Sequence, residues 1–242
     1  MEDRVMLKGL TFAAKAMKNQ VAHNDVIANN LANVNTTGFK KEIAVLHSGT
    51  GKDTKEETGL FTVTSFIEGA LVRTERPLDI AIEGKGFFVV DTDKGEMYTR
   101  NGAFAKDSEG YLVTADGDKV SSTSGDIQLP AGNIEVSQEG VISVNGSEVG
   151  RLKIVRFDNP EKLEKVGSNL FKAPDGITGE DVAEDEVSVL SGYIEQSNVN
   201  VIKEMTDMIS ALKAYEIAQK AVKSEDDILQ QLTRTVGRVE NI

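Results

Sequence analysis

The sequence predicts an α+β protein with two parts. Helices at the two chain ends form one discontinuous coiled-coil assembly domain, and the middle forms a β-rich domain of short antiparallel strands. Three observations predict this. Apolar residues recur at helical spacing near both ends, the recurrence changes to period two across the middle, and turn-forming Gly, Asn and Asp pairs punctuate that middle at short intervals.

From Met6 to about Leu31, the residues Leu10, Ala13, Ala14, Met17, Val21, Ile27, Ala28 and Leu31 fall on one stripe. The spacing predicts an amphipathic helix of about 25 residues, interrupted by Asn24, Asn29 and Asn30, which is marginal in water and needs a partner surface. Lys41 to Phe61 has little periodicity and several Gly and Thr residues, so it reads as a linker.

Leu78 to Glu83 alternates, Gly84-Lys85-Gly86 turns, and Phe87 to Val90 is a buried-strand run. Further strands are expected at 96–100, 111–114, 134–136, 141–144 and 151–157. Asp107 to Gly110, Asp116-Gly117 and Asn145-Gly146 supply turns between them.

The last element is a helix of roughly 35 residues on which Val201, Met205, Met208, Leu212, Tyr215, Val222, Leu229 and Val236 alternate by four and three. Ile202, Ile209, Ala218, Ile228 and Leu232 widen that stripe beyond a two-stranded seam, as a helix touching several neighbours requires. Ser197 or Asn198 is placed to cap its start, and Gly237 lies near its end. The expected division is therefore 1–38 as an assembly helix, 39–77 as an extended linker, 78–192 as the β body, and 193–242 as a second helix paired with the first.

Composition narrows the chemistry. The chain has 242 residues, 27 Lys plus Arg against 39 Asp plus Glu, and a formal charge of −12, which disfavours nucleic acid and anionic lipid as partners. Ten carboxylates and three lysines lie between Asp158 and Glu195, a solvated acidic stretch. No Cys is present, which removes disulfides, thiolate metal sites and cysteine nucleophiles. No segment approaches the apolar length of a membrane span or a signal peptide, so direct membrane insertion is not expected.

The run Asn29-Asn30-Leu31-Ala32-Asn33-Val34-Asn35-Thr36-Thr37-Gly38-Phe39-Lys40 resembles the N-terminal signature of flagellar basal-body rod and hook proteins. Leu78 to Val90, Tyr98 to Phe104 and Gly192 to Val201 are similar to the same family, so with the final helix the resemblance covers nearly the whole chain. Asn and Thr compete for backbone hydrogen bonds and Gly38 tolerates positive φ, so the run is also where the first helix must stop. A full hook protein would carry a large extra domain absent here. Phe39 and Asp79 are 40 positions apart, a short interval that resembles the proximal rod (FlgF) type; Ala214-Tyr215-Glu216 looks more like the distal (FlgG) type.

The resemblance implies a structural, non-enzymatic subunit without cofactor. It would be exported unfolded through the flagellar type III channel without a cleaved signal peptide, then polymerised in the periplasmic portion of the basal body to transmit torque. Implied partners are itself, other rod proteins and the export apparatus. The expected assembly residues are Leu10, Met17, Val21, Asn29, Asn30, Leu31, Asn33, Gly38, Phe39, Ser197, Asn198, Val199, Asn200, Met205, Met208, Ile209, Leu212, Tyr215, Val222 and Leu229. From a different class, an exported ligand-binding or carbohydrate-active β domain oligomerised by its end helices would need a pocket of convergent acids or aromatics, which the low aromatic content disfavours.

Sharper chemical readings are weak. Gly49-Thr50-Gly51-Lys52 lacks the first Gly and the final Ser or Thr of a phosphate loop. Asp91 to Glu96 and Asp116 to Asp118 lack the calcium-loop spacing and read as hairpin turns. His23 and His47 have no Cys or neighbouring His to complete a zinc site or a triad. Asp79 and Glu83 lie four residues apart on one strand face, which suits a surface or edge role better than a glycosidase pair. No catalytic, cofactor or metal residues are expected.

Overall fold

The computed structural model describes residues 2–47, 59–183 and 188–239. Helix α1 spans Glu2–Ala32 and α2 spans Val201–Val239. Nineteen strands lie between them among the described residues: β1 (Glu42–His47), β2 (Gly59–Thr64), β3 (Leu71–Arg73), β4 (Ile80–Glu83), β5 (Phe87–Thr92), β6 (Gly95–Thr99), β7 (Ala105–Lys106), β8 (Leu112–Val113), β9 (Lys119–Ser122), β10 (Gly125–Asp126), β11 (Ile134–Val136), β12 (Val141–Val144), β13 (Ser147–Arg151), β14 (Ile154–Arg156), β15 (Glu164–Gly167), β16 (Leu170–Lys172), β17 (Glu180–Asp181), β18 (Ser188–Ser191) and β19 (Tyr193–Glu195). The α+β class and the antiparallel centre agree with the periodicities.

Two compact units divide the chain. The first comprises Met1–Ala32, Glu42–Val63 and Asn200–Ile242, and the second Asn33–Lys41 and Thr64–Val199. In the first unit α1 packs on α2 and β1 pairs with β2. Within 39–77, the segment expected to be an extended linker, lie the short strands β1, β2 and β3. Period two in Glu42–His47 and Gly59–Thr64 is too short to stand out beside the intervening Gly and Thr residues.

In the second unit, a ten-stranded antiparallel sheet runs β15-β16-β6-β5-β9-β8-β7, with β10 on β9, β14 on β5 and β17 on β14. A three-stranded sheet β11-β12-β13 and the pairs β4-β18 and β3-β19 complete it. The Asn145-Gly146 turn joins β12 to β13 with both residues at positive φ, as a type I′ hairpin demands.

One face of β5 places Phe88 and Val90 among Ile80, Leu112, Val120 and Ile142, each fully or almost fully buried. The other face places Phe87 and Val89 against Val155, Phe157 and Phe171. The continuous apolar run Phe87 to Val90 therefore marks a strand covered on both faces.

Candidate assembly interface

The helical unit is built around a narrow seam. On α2, the residues that lose exposure include Glu204, Met208, Ala211, Tyr215, Ala218, Val222 and Glu225, separated alternately by four and three. On α1 they include Ala13, Met17, Gln20, Asn24, Ile27 and Leu31, with the same alternation. This is the recurrence of a paired-helix seam. Asn30 Nδ2 donates to Glu204 Oε2 at 3.3 Å, so the C-terminal end of α1 meets the N-terminal end of α2 and the pair runs antiparallel.

The seam interleaves large apolar side chains, among them Met17, Ile27, Leu31, Met208 and Val222, with the polar Gln20, Asn24, Glu204 and Glu225. Asn24 Oδ1 and Glu225 Oε2 are buried there without a hydrogen-bond partner, which weakens the pair.

Asn30 is 1% exposed and does what a strand residue would do: its Nδ2 donates to Glu42 O at 2.8 Å and its Oδ1 accepts from Glu42 N at 2.9 Å. It thereby ties α1 to β1 as well as to α2. Asn30→Ala strands the Glu42 backbone pair and is expected to cost the helical unit about 1–3 kcal/mol, read as a lowered melting midpoint by far-ultraviolet circular dichroism.

A second apolar face of α2 stays uncovered. Ile202, Met205, Ile209 and Leu212 are 79%, 52%, 53% and 50% exposed. At 100° per residue they form one stripe centred roughly 120° around the helix from the seam. The single wide stripe suggested by the sequence thus resolves into two. Met208, Tyr215 and Val222 belong to the seam, and Val201, Met205 and Leu212 face outward with Ile202 and Ile209. The start of α2 is capped by Asn200, whose Oδ1 accepts from Lys203 N at 3.0 Å, and not by the expected Ser197 or Asn198.

Asn198 is committed elsewhere, in the β unit. Its Oδ1 accepts from Lys41 N at 2.8 Å, and its Nδ2 donates to Ser65 O and Ile67 O at 2.8 and 2.9 Å. Beside it lies a buried ionic network. Glu195, 1% exposed, accepts from Lys40 Nζ at 2.5 Å, from Gly69 N at 2.8 Å and from Arg100 Nε at 2.7 Å.

The remaining donors of Arg100 reach Gly84 O, Gly86 O and Ile82 O at 2.8, 2.8 and 3.0 Å, with Glu68 at 3.5 Å completing the fork. Burial pulls the Lys40 ammonium below its ordinary range, against the upward pull of Glu195.

Gly38 sits in the left-handed region at φ 68°, and a Cβ there would lie 2.4 Å from Asn101 N, so only glycine fits. Its N–H donates to Glu195 O at 2.7 Å. Phe39 is 2% exposed under Lys165 Nζ, 3.9 Å from its ring centre. Asn169 Nδ2 donates to Thr37 O at 3.0 Å.

The expected assembly residues consequently separate into groups. Met17, Leu31, Met208, Tyr215 and Val222 line the seam, while Val21, Asn29, Asn200, Met205, Ile209 and Leu212 are exposed. Gly38, Phe39 and Val199 are buried and Asn198 is half-buried, all within the β unit. Asn33 Oδ1 accepts from Thr36 Oγ1 in the turn after α1, and Ser197 Oγ accepts from Val199 N. Leu10 and Leu229 lie outside the residues whose side chains are described.

The other chemical candidates remain scattered. Gly49 to Lys52 lies outside the described residues, as does the side chain of His47. His23 Nδ1 lies 3.5 Å from Gln20 Nε2 on α1. Asp93 and Asp116 sit in hairpin turns, and Glu83 Oε2 accepts from Ser188 Oγ while Asp79 is buried beside Arg76. Among the described residues no group of three or more acids or histidines is placed to hold a metal, and no helix is long and apolar enough to cross a membrane.

Comparison with known proteins follows the same segments. Residues 10–40 match the flagella basal body rod protein family, 81–144 the D1 domain of flagellar hook proteins FlgE/F/G, and 190–235 the C-terminal region of flagellar basal body rod FlgEFG proteins. The flagellar basal-body rod protein FlgG of Borreliella burgdorferi is 36% identical over 260 residues, covering 93% of this chain and 97% of that protein. The chain belongs to the flagellar basal-body rod protein family.

FlgG of Bacillus subtilis is 33% identical, covering 94% of this chain and 98% of the relative. FlgF of Caulobacter vibrioides is 32% identical over 227 residues, covering 89% and 92%. This is a structural family of the flagellar basal-body rod, whose members assemble with other rod components. In this rod protein the segments 29–40 and 192–201 supply residues to the polar joints, Asn30 to one and Lys40 and Glu195 to the other. Lys40, Arg100, Glu195 and Glu204 all lie in or beside the segments of resemblance, but their pairing spans intervals no local pattern reveals: Lys40 and Glu195 are 155 residues apart.

Proposed function

We propose that this rod protein is a proximal rod subunit, exported through the flagellar channel and polymerised in the periplasmic portion of the basal body through α1 and α2. Its partners are copies of itself and other rod proteins. The observation that carries the reading is the Ile202-Met205-Ile209-Leu212 stripe, about half or more exposed at each position on a helix whose other face is already occupied by α1. Covering one such side chain is worth about 1.5–3 kcal/mol, a gain that offsets the unsatisfied Asn24 and Glu225 in the seam.

Length supports the proximal assignment. The alignments with the two FlgG proteins run to 260 and 267 positions, longer than this 242-residue chain, and so include positions it lacks. The alignment with FlgF runs to 227. A distal role is the second reading, favoured by the identity to FlgG.

Because the chain has no Cys, a single cysteine at Ile209→Cys carries a cross-linker to one known place. In isolated basal bodies it is expected to capture neighbouring rod subunits, and the captured peptides identify the position along the rod. Adducts confined to α1 of the same chain would refute the assignment of this stripe to assembly.

A further inference from the structure

We propose that residues 38–41, 65–73 and 193–198 form a clasp that opens and closes as one cooperative unit while the sheet around β5 stays folded, with the Glu195 carboxylate as its keystone. All three segments belong to the β unit, and the inference holds whatever role the rod subunit plays in assembly.

The first support is connectivity. β3 and β19 are each other's only strand partners among the described residues, in the register Leu71↔Glu195, Val72↔Ile194 and Arg73↔Tyr193. Gly38 N donates to Glu195 O, Gln196 N to Ala70 O, and Ser65 N to Lys41 O. The Asn198 side chain bonds to segments 38–41 and 65–73 together. Removing one segment therefore strips the other two of partners.

The second support is charge. Glu195 holds two buried cations, Lys40 and Arg100, and a backbone N–H from the middle segment. A partly open clasp leaves a buried charge without its counter-ion, so intermediate openings are disfavoured and the change is all-or-none. Full opening lets Lys40 and Glu195 reach water together and leaves Arg100 held by the Gly84, Gly86 and Ile82 carbonyls.

The third is the distribution of apolar burial. Phe39 is the one apolar side chain fully buried among the clasp's described residues, whereas Phe88, Val90, Leu112, Val120 and Ile142 are almost completely buried in the adjoining core. A partly open pocket of about 280 Å³ borders the clasp at Lys40, Phe66 and Glu68. Phe66 packs edge-to-face on Phe87 and Phe171 and with Phe39 is the clasp's apolar hold on the sheet, a smaller buried area than the adjoining core has, which places the clasp lower in local stability.

Native-state hydrogen exchange on the intact protein across low denaturant concentrations tests this. The amides of Gly38, Lys41, Ser65, Gly69 and Gln196 are expected to share one opening free energy and one shallow denaturant slope, both below those of Val89, Val90 and Met97. In Glu195→Gln the same five amides should speed up together by about a hundredfold or more, with the β5–β6 amides still the better protected set. Exchange of the five with unrelated slopes, or only together with β5 and β6, overturns the proposal. If the variant does not fold, the wild-type slopes alone decide it.

Discussion

Replacing Glu195 by Gln is expected to lower the unfolding free energy of the intact protein by about 3–5 kcal/mol, measured by urea denaturation. The carboxylate is 1% exposed and accepts from two cations and one amide. The amide that replaces it presents an NH₂ group to either Lys40 Nζ or Arg100 Nε, setting donor against donor. Both cations then stay buried without a buried counter-ion, because Glu68, the other acid nearby, is 3.5 Å from Arg100 and 39% exposed. Such an exposed partner compensates weakly.

Lys40→Met with Glu195→Met removes the charge pair but leaves Arg100, whose other donors are held by Gly84, Gly86 and Ile82 carbonyls. The double variant is therefore expected to fall short of the sum of the two single losses. A loss below about 1 kcal/mol for Glu195→Gln would mean that water reaches the network and screens it.

This network also shows where sequence reasoning ends. Helix existence, the β5 run and the Asn145-Gly146 hairpin follow from local periodicity and turn chemistry, and they appear where those predict. Asn30, Gly38, Phe39 and Asn198 stand out because Asn- and Gly-rich stretches interrupt apolar patterns. What they touch does not follow, since the partners of Asn30 and Lys40 include residues 174 and 155 positions away. The clustering of polar residues suggested joints between subunits, whereas Phe39 and Gly38 are buried inside the chain that carries them.

The width of the α2 stripe was legible, but its division into seam and exposed face was not. Ala211 and Glu204 line the seam in place of bulkier neighbours because a close antiparallel approach favours small or bonded side chains at its centre.

That division gives the sharpest test of assembly, because Ala211 and Leu212 are adjacent in sequence and opposite in exposure, at 3% and 50%. Leu212→Asp places a charge on a surface already wet in the free subunit, so the monomer's melting point should move little. In the assembled rod the same charge would be enclosed by a neighbour and lack a partner, at a cost of several kcal/mol per contact. A factor of ten in association accompanies each 1.4 kcal/mol. Polymerisation and motility are therefore expected to fail for Leu212→Asp while circular dichroism of the free subunit stays unchanged.

Ala211→Asp should do the reverse in order, melting the α1–α2 pair of the free subunit first and losing assembly as a consequence. If Leu212→Asp also melts the free subunit's helices, the stripe is part of the chain's own packing. If both variants assemble, the neighbouring subunits grip some other surface. Only the combination of an intact monomer and a failed rod fits a helix that keeps one face for its own chain and offers the next to its neighbours.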